Sequence, residues 1–353
     1  MHLLIPFANC TAVECHQALA TLKLPNLERL LRQLPLAHTD TANESTLSPP
    51  HERALAAAYG ITMPDSANTA WPDGQTPWGA WHAMQAGYMD SPVGNGIAPT
   101  ADELAQARHT TAPANAWAVI TPCHWTVQTS HITMTHPRAL NLGGDESRAL
   151  LAAMQPYFAE DGIALMYDTP TRWLARGGVF AGLATASPYR VVGAHVDDWL
   201  PKAASAKLLR RLQNEMQMLL YTHPLTDART DQGLLAVNSF WVSGTGALPA
   251  QHPARAHTWD MPAPPVIAPT ALRDAAVHDY WSTWAQAWQQ LDATDCAALL
   301  KAFDDRALVT LTLCGERSSQ TYRTSHRNAL TRLAHRLMRQ IGNRPTYNVL
   351  SSL

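Results

Sequence analysis

The sequence predicts an α/β fold in which one α/β subdomain is inserted into a core domain. Three observations predict it. Short apolar runs of strand length alternate with stretches whose apolar residues recur every three or four positions. Of the 353 residues, 46% are hydrophobic and 15% charged, ample material for the core of two domains. A proline-rich stretch without period, residues 247–270, reads as a linker that returns the chain to its first domain. The expected boundaries are 1–115 and 251–353 for the core domain and 116–250 for the insert.

Residues 1–8 read as a buried strand. Pro25 opens a helix whose apolar stripe is Leu27, Leu30, Leu31 and Leu34. Residues 38–50 are polar and loop-like. A short helix over 50–58 ends at Gly60. The Pro-, Gly- and Trp-rich residues 61–80 read as a long loop. From 117 to 120 a strand is expected, with 130–134 as its hairpin partner. A helix over 145–159 presents Leu150, Leu151, Met154 and Phe158 on one face, and strands follow at 162–167 and 171–174. Another helix, 204–221, carries Leu208, Leu209, Leu212, Met216 and Leu219. The strand 237–242 runs into Ser243-Gly244-Thr245-Gly246. Beyond the linker come a helix with Trp281, Trp284 and Trp288, a short helix near 293–302, a strand at 308–313 and a helix at 325–341.

Net charge is −2, so no global field selects nucleic acid or a membrane surface. No apolar run reaches the ~18–20 residues that span a bilayer. Met1–Phe7 is too short for a signal peptide and lacks a basic start. The five cysteines are odd in number and form no C-x-x-C, so reduced thiols and a cytoplasmic location are expected. Cys15-His16, Cys123-His124 and His252/His257 lack zinc-ligand spacing. The 12 tryptophans are either core filler in a chain with 5 Phe or the lining of a ligand cleft. No acidic residue follows Glu316, whereas Arg327, Arg332, Arg336 and Arg339 fall on the last expected helix. These arginines make either a solvated face or a site for phosphates, nucleic acid included.

Several stretches carry a resemblance. Leu24-Pro25-Asn26-Leu27-Glu28-Arg29-Leu30 looks like the T-P-N-L-D-x-L element that follows the first strand in the alkaline-phosphatase superfamily. His223-Pro224, Arg229, Gly233, Asn238, Trp241, Gly244, Gly246 and Pro249 fall in the order of the H-P-x-N-x-x-R…G…A-N-x-I-W-x-W-G-x-G-x-x-P block of archaeal-type cofactor-independent phosphoglycerate mutases. The chain also resembles a proteobacterial family of RpfE-type regulatory proteins. The resemblance implies an alkaline-phosphatase-like core sheet with an inserted α/β subdomain, and a phosphorylated small molecule as ligand. By position it implies Arg172, His223, Arg229, Asn238, Trp241, Gly244 and Gly246 as ligand-binding residues.

The departures bear on chemistry. That family uses two divalent metals, a serine nucleophile and a set of Asp and His ligands. Its first strand ends in Asp-Gly; here the order is Ile5-Pro6-Phe7-Ala8. Its Asp-His pair after a later strand is replaced by Cys314-Gly315-Glu316. Counting back from Gly60 puts His51 at the nucleophile's place. No metal and no cofactor are expected, and the chain reads as a degenerate, regulatory relative. For His51 three roles stay open: an anion-binding donor at a helix start, a helix cap, or a phosphorylatable nucleophile in a metal-independent mutase or phosphotransferase.

Overall fold

The structure is a computed structural model; it describes residues 1–63, 70–89, 116–248, 266–324 and 346–353. The chain divides into two compact units: Met1–Ser45, Pro49–Gly60 and His257–Leu353 form one, and Thr46–Ser48 with Ile61–Ala256 the other. Residues 61–89, expected in the core domain, therefore pack within the second unit wherever they are described.

The first unit is built on a five-stranded sheet of β1 (His2–Ile5), β2 (Leu36–Thr41), β9 (Val266–Ile267), β10 (Thr310–Cys314) and β11 (Ser318–Arg323), in the order β2-β11-β10-β1-β9. β1 runs parallel to β10 and β9, and β11 is antiparallel to β10 and β2. Leu3, Leu4 and Ile5 are wholly buried, as a central parallel strand covered on both faces requires. β2 corrects the loop expected from residue 38. Its residues are polar after Leu36 and Ala37 and mostly exposed, so only pairing with β11 reveals a strand at this edge.

Helices α1 (Val13–Thr21), α2 (Pro25–Gln33), α3 (Pro50–Ala58), α8 (Ala271–Ala276), α9 (Trp281–Leu291), α10 (Ala297–Asp304) and α11 (Thr346–Ser351) complete this unit. Trp284 and Trp288 are fully buried in its core, and the Trp284 indole N–H donates to the Phe7 carbonyl at 3.0 Å. These two tryptophans are core filler. A π-helical turn, Asp292–Cys296, joins α9 to α10 and aims Asp292 at the start of α2. The Asp292 carboxylate accepts from the Leu27 N–H at 2.7 Å, and from the N–H and side-chain amide of Asn26 at 3.2 Å each. The residue preceding α2 is Leu24, which has no capping side chain. A buried carboxylate from a distant helix thus satisfies the free N–H groups and the positive dipole end of α2. That is the local reason for the Leu24-Pro25-Asn26-Leu27 element.

The second unit has a four-stranded antiparallel sheet in the order β6-β7-β3-β8, from β3 (Trp117–Cys123), β6 (Ala164–Thr169), β7 (Arg172–Arg176) and β8 (Ser239–Gly246). A separate hairpin pairs β4 (Trp125–Val127) with β5 (Ile132–Met134), so 130–134 is not the partner of β3. Helices α5 (Gly144–Glu160) and α6 (Lys207–Tyr221) bury Leu150, Met154 and Phe158 together with Leu209, Leu212 and Met216 in one apolar cluster. Helix α7 (Pro224–Asp231) follows α6.

Helix α4 (Trp78–Gln85) occupies the end of the expected long loop and packs on β3 and β8. Two glycines permit the approach. A Cβ on Gly79 would lie 2.6 Å from the Ala118 backbone, and one on Gly244 2.7 Å from the Trp78 Cβ. No helix among the described residues is long and apolar enough to cross a membrane. The expected helix at 325–341, with Arg327, Arg332, Arg336 and Arg339, lies outside the described residues, as do His252, His257 and Pro249.

Replacing Asp292 with Ala is expected to lower the unfolding free energy by about 2 kcal/mol or more, because buried N–H groups lose their acceptor. Urea unfolding of the full chain measures it. Asp292→Asn keeps an acceptor and should recover part of the loss.

Candidate functional site

Ligands of parallel α/β sheets sit beyond the carboxyl ends of the strands. In the first unit that edge is formed where β1 and β10 end. The Ala8 N–H donates to the Cys314 carbonyl at 2.7 Å, holding the two strand ends level. Phe7 adopts a left-handed backbone with φ of 55°, which costs a non-glycine residue about 1–2 kcal/mol. Its ring lies 5.2 Å from the His51 ring, tilted by 46°. His51 is in the first turn of α3, which packs on β1, β10 and β11, and it is only 5% exposed. Arg53, one position beyond Glu52, donates Nε to Asp40 of β2 at 2.8 Å. Cys314 is wholly buried; burial, then the nearby Asp40 charge, pushes its thiol up.

This edge does not fit a pair of divalent metals. Such a pair needs several carboxylates or imidazoles in its first coordination layer. The edge offers instead a phenyl ring, a thiol held in its protonated form, one buried imidazole, an aspartate already paired with Arg53 and Glu316 already bonded to Thr11. Among the described residues no group of three or more His, Cys, Asp and Glu side chains is arranged to hold a metal.

The residues expected to bind ligand lie in the second unit, and most are committed to packing. Arg229 is 1% exposed. Its Nη1 donates to both Glu146 oxygens at 2.9 Å, its Nε to the Leu235 carbonyl at 2.9 Å, and its Nη2 to the Leu140 carbonyl. With all three nitrogens engaged inside the fold, Arg229 is a structural arginine. Burial opposes the Glu146 charge, but the Gly143 N–H and Arg229 hold its carboxyl below the usual range. Asn238 accepts from the Trp125 N–H at 2.7 Å and donates to the Trp125 carbonyl at 2.9 Å, tying β8 to β4. Trp241 is buried and donates to the Ala186 carbonyl at 2.8 Å. The His223 ring accepts the Leu225 N–H at 3.2 Å and so caps α7. Gly244 and Gly246 have φ of 61° and 132° and admit Trp78 and Pro77.

Arg172 differs from these. It is partly exposed and pairs with Asp168 at 2.5 Å. The register places it apart from the glycines. Arg176, not Arg172, is level with Trp117, which is level with Gly246; β3 separates Arg172 from β8. Beside Arg172 lies His82 of α4, whose pKa is lowered to about 4 by burial and then by the Arg172 charge, against Asp168. Sequence reading missed His82, Glu146 and Asp292. Glu146 alone left a signal, its capping-box spacing three residues after Gly143.

Fold and site together define an α/β protein whose first unit has a carboxyl edge poor, among the described residues, in grouped metal-ligating side chains. Comparison with known proteins narrows the class. No family model matches the chain. Over 120 residues it is 28% identical to a probable 2,3-bisphosphoglycerate-independent phosphoglycerate mutase of Geobacter sulfurreducens, covering 33% of this chain and 30% of that protein. Over 125 residues it is 24% identical to the 2,3-bisphosphoglycerate-independent phosphoglycerate mutase of Methanosarcina mazei, covering 35% and 32%. The matched stretch thus spans about a third of each relative. Among solved structures, the cofactor-independent phosphoglycerate mutase from Thermoplasma acidophilum is similar at 14% identity, over 100% of this chain and 98% of that one, with a TM-score of 0.34. The PH0037 protein from Pyrococcus horikoshii is similar at 11% identity, over 92% and 87%, with a TM-score of 0.44. At these scores the structural likenesses carry no argument. The chain has weak, partial sequence homology to cofactor-independent phosphoglycerate mutases.

Two outcomes follow for stability. Arg229→Ala should cost about 3–5 kcal/mol in urea unfolding, and Arg229→Lys should not restore it, because an ammonium cannot reproduce the planar fork. Acid should destabilise the fold in a defined window. His2 is lowered to about 4 by burial and then by the chain's terminal ammonium, and His82 also to about 4. Between pH 6.5 and 4 the unfolded chain binds protons that the folded chain does not, so stability falls as pH falls. As pH falls below 4.5 Glu146 adds to the loss, since its folded pKa is depressed. Urea midpoints against pH measure the slope, and His82→Gln should remove about half of it.

Proposed function

We propose that the chain is a phosphoglycerate-mutase-like protein, with an alkaline-phosphatase-like core, that no longer performs the metal-dependent reaction. In this reading it binds a phosphorylated small molecule and acts in regulation, as a relative of the RpfE-type proteins. One observation carries it. Where the resemblance expects an acidic metal ligand at the end of the first strand, Phe7 packs its ring on His51, which stands at the nucleophile's place. A contact between two rings cannot replace carboxylates that bind divalent ions.

His51 serves there as a packing residue, because its burial leaves the ring no open face for an incoming phosphoryl group. Of the residues assigned to ligand, Arg172 keeps a partly exposed guanidinium; an anion would compete with Asp168 for it. A reducing, cytoplasmic setting belongs to the same reading, supported by five unpaired cysteines.

The test is mutase turnover with phosphoglycerates, with manganese and with EDTA, alongside a thermal-shift screen of phosphorylated metabolites. No turnover in either condition and a raised melting temperature with at least one metabolite are expected. Turnover that EDTA abolishes, or about two equivalents of bound manganese or zinc per chain, would overturn the proposal. Arg172→Ala should weaken binding of the retained metabolite by roughly tenfold or more in calorimetry.

A further inference from the structure

β2 stands at one end of the sheet of the first unit, paired with β11 on one side. Just past its end, the Ala42 N–H donates to the Arg317 carbonyl at 2.6 Å. An antiparallel ladder alternates, so Asp40 and His38, opposite Ser319 and Thr321, also bond to β11. Thr39 and Thr41 therefore turn their N–H and C=O groups to the outer edge. Both residues are exposed, and among the described residues no hydrogen bond reaches those outward groups. The register shifts between Thr321 and Tyr322, which makes Ala37 an extra, bulged residue. Since the His38 N–H points toward β11, the Ala37 C=O of the same trans peptide points outward. An open edge of this kind is a template for a further strand, and β2 contains no Lys or Pro to block one.

We propose that β2 pairs antiparallel with β2 of a second copy of this chain, about a two-fold axis through Thr39. Two features of the strand select that partner, and both select the same axis. The first is the ladder. With Thr39 opposite Thr39 of the second copy, each Thr39 N–H meets the other Thr39 carbonyl, and each Thr41 N–H meets the other Ala37 carbonyl. Only outward groups are used, so no bond to β11 is given up.

The second feature is charge. The same register sets His38 directly opposite Asp40 of the second copy, and Asp40 opposite its His38. These are non-hydrogen-bonded pairs, in which facing side chains come closest. His38 is exposed. Asp40 Oδ2 accepts from Arg53 Nε at 2.8 Å, and among the described residues no hydrogen bond reaches Oδ1, which is left for the His38 N–H. Sliding one strand by two residues, the smallest slip that keeps outward groups paired, sets Asp40 against Asp40 or His38 against His38. A foreign strand would need the same spacing of complementary groups; a second copy supplies it by symmetry. One strand pair is small beside a standard interface, so the dimer is reversible. The inference is independent of the proposed function.

Sedimentation velocity of the full chain over a range of concentrations is the test. A monomer–dimer equilibrium with no larger species is expected. Thr39→Pro removes only an outward N–H, so its urea midpoint should stay near that of the wild type while the dimer disappears. His38→Glu sets like charges opposite each other and should weaken the dimer about tenfold, whereas His38→Lys should change it by less than about threefold. Circular dichroism verifies that the variants are folded, and the His38 pair decides the case if Thr39→Pro is not. A chain that stays monomeric at every concentration would overturn the proposal. So would a dimer that survives in folded Thr39→Pro, a dimer that His38→Glu leaves equally tight, or growth past the dimer, which marks a contact that does not close.

Discussion

The parallel ladder between β1 and β10 is the constraint on which the first unit depends. It pairs His2 through Ile5 with Thr310 through Leu313, residues from opposite ends of the chain. Nothing local can form it, so about three hundred residues of loop closure precede it. Contacts so distant in sequence slow folding and make the unit cooperative. β1 buries Leu3, Leu4 and Ile5 and β10 buries Leu311 and Leu313, which calls for helices on both faces. The ladder also sets what meets at the carboxyl edge. Phe7, Ala8 and Cys314 are level because the register makes them so, and the Cys10 loop and Glu316 leave from the same line.

Buried polar groups explain the residues that carried the resemblance. Arg229 spans Glu146 and two carbonyls, Asn238 spans both backbone groups of Trp125, and Asp292 spans the start of α2. Each removes an unsatisfied donor or acceptor that would cost about 1–3 kcal/mol. Truncating one member of such a network is costly, since the partners left behind remain buried. A spacing of His, Arg, Asn, Trp and Gly can therefore recur in sequence because it holds a scaffold. The motif is specific, and what it holds here is β8 against α4 and β4, and α7 against α5.

Much of the fold was legible for the same reason that its site was not. Long periodic segments such as α5, α6 and α9, and apolar strands such as β1 and β8, announce themselves through burial patterns that repeat along the chain. Edge strand β2 and helix α4 carry no such pattern. β2 is polar and exists through its pairing, and α4 is disguised by the Pro and Gly that let it approach β3. At the site, the substitution at Phe7 and the position of His51 could be read by counting residues. Their contact could not, nor could the engagement of Arg229, because each depends on elements far apart in sequence. A guanidinium looks the same in a sequence whether it meets a ligand or Glu146.

The carboxyl edge holds a ring contact where the resemblance expects acidic metal ligands. A two-metal site clusters carboxylates that repel one another until the ions bind, so the unoccupied site stores destabilisation. A phenyl ring against an imidazole carries no such repulsion and adds apolar contact. Phe7 keeps the left-handed backbone, a conformation suited to glycine, and tolerates it at about 1–2 kcal/mol. Its carbonyl is held by the Trp284 indole and its ring packs on the core of the first unit. The turn at the end of β1 is thus fixed by its surroundings, not by the residue it contains. An edge organised in this way needs no acidic ligands to hold its shape, because the ladder, the capped α2 and the buried tryptophans fix the sheet.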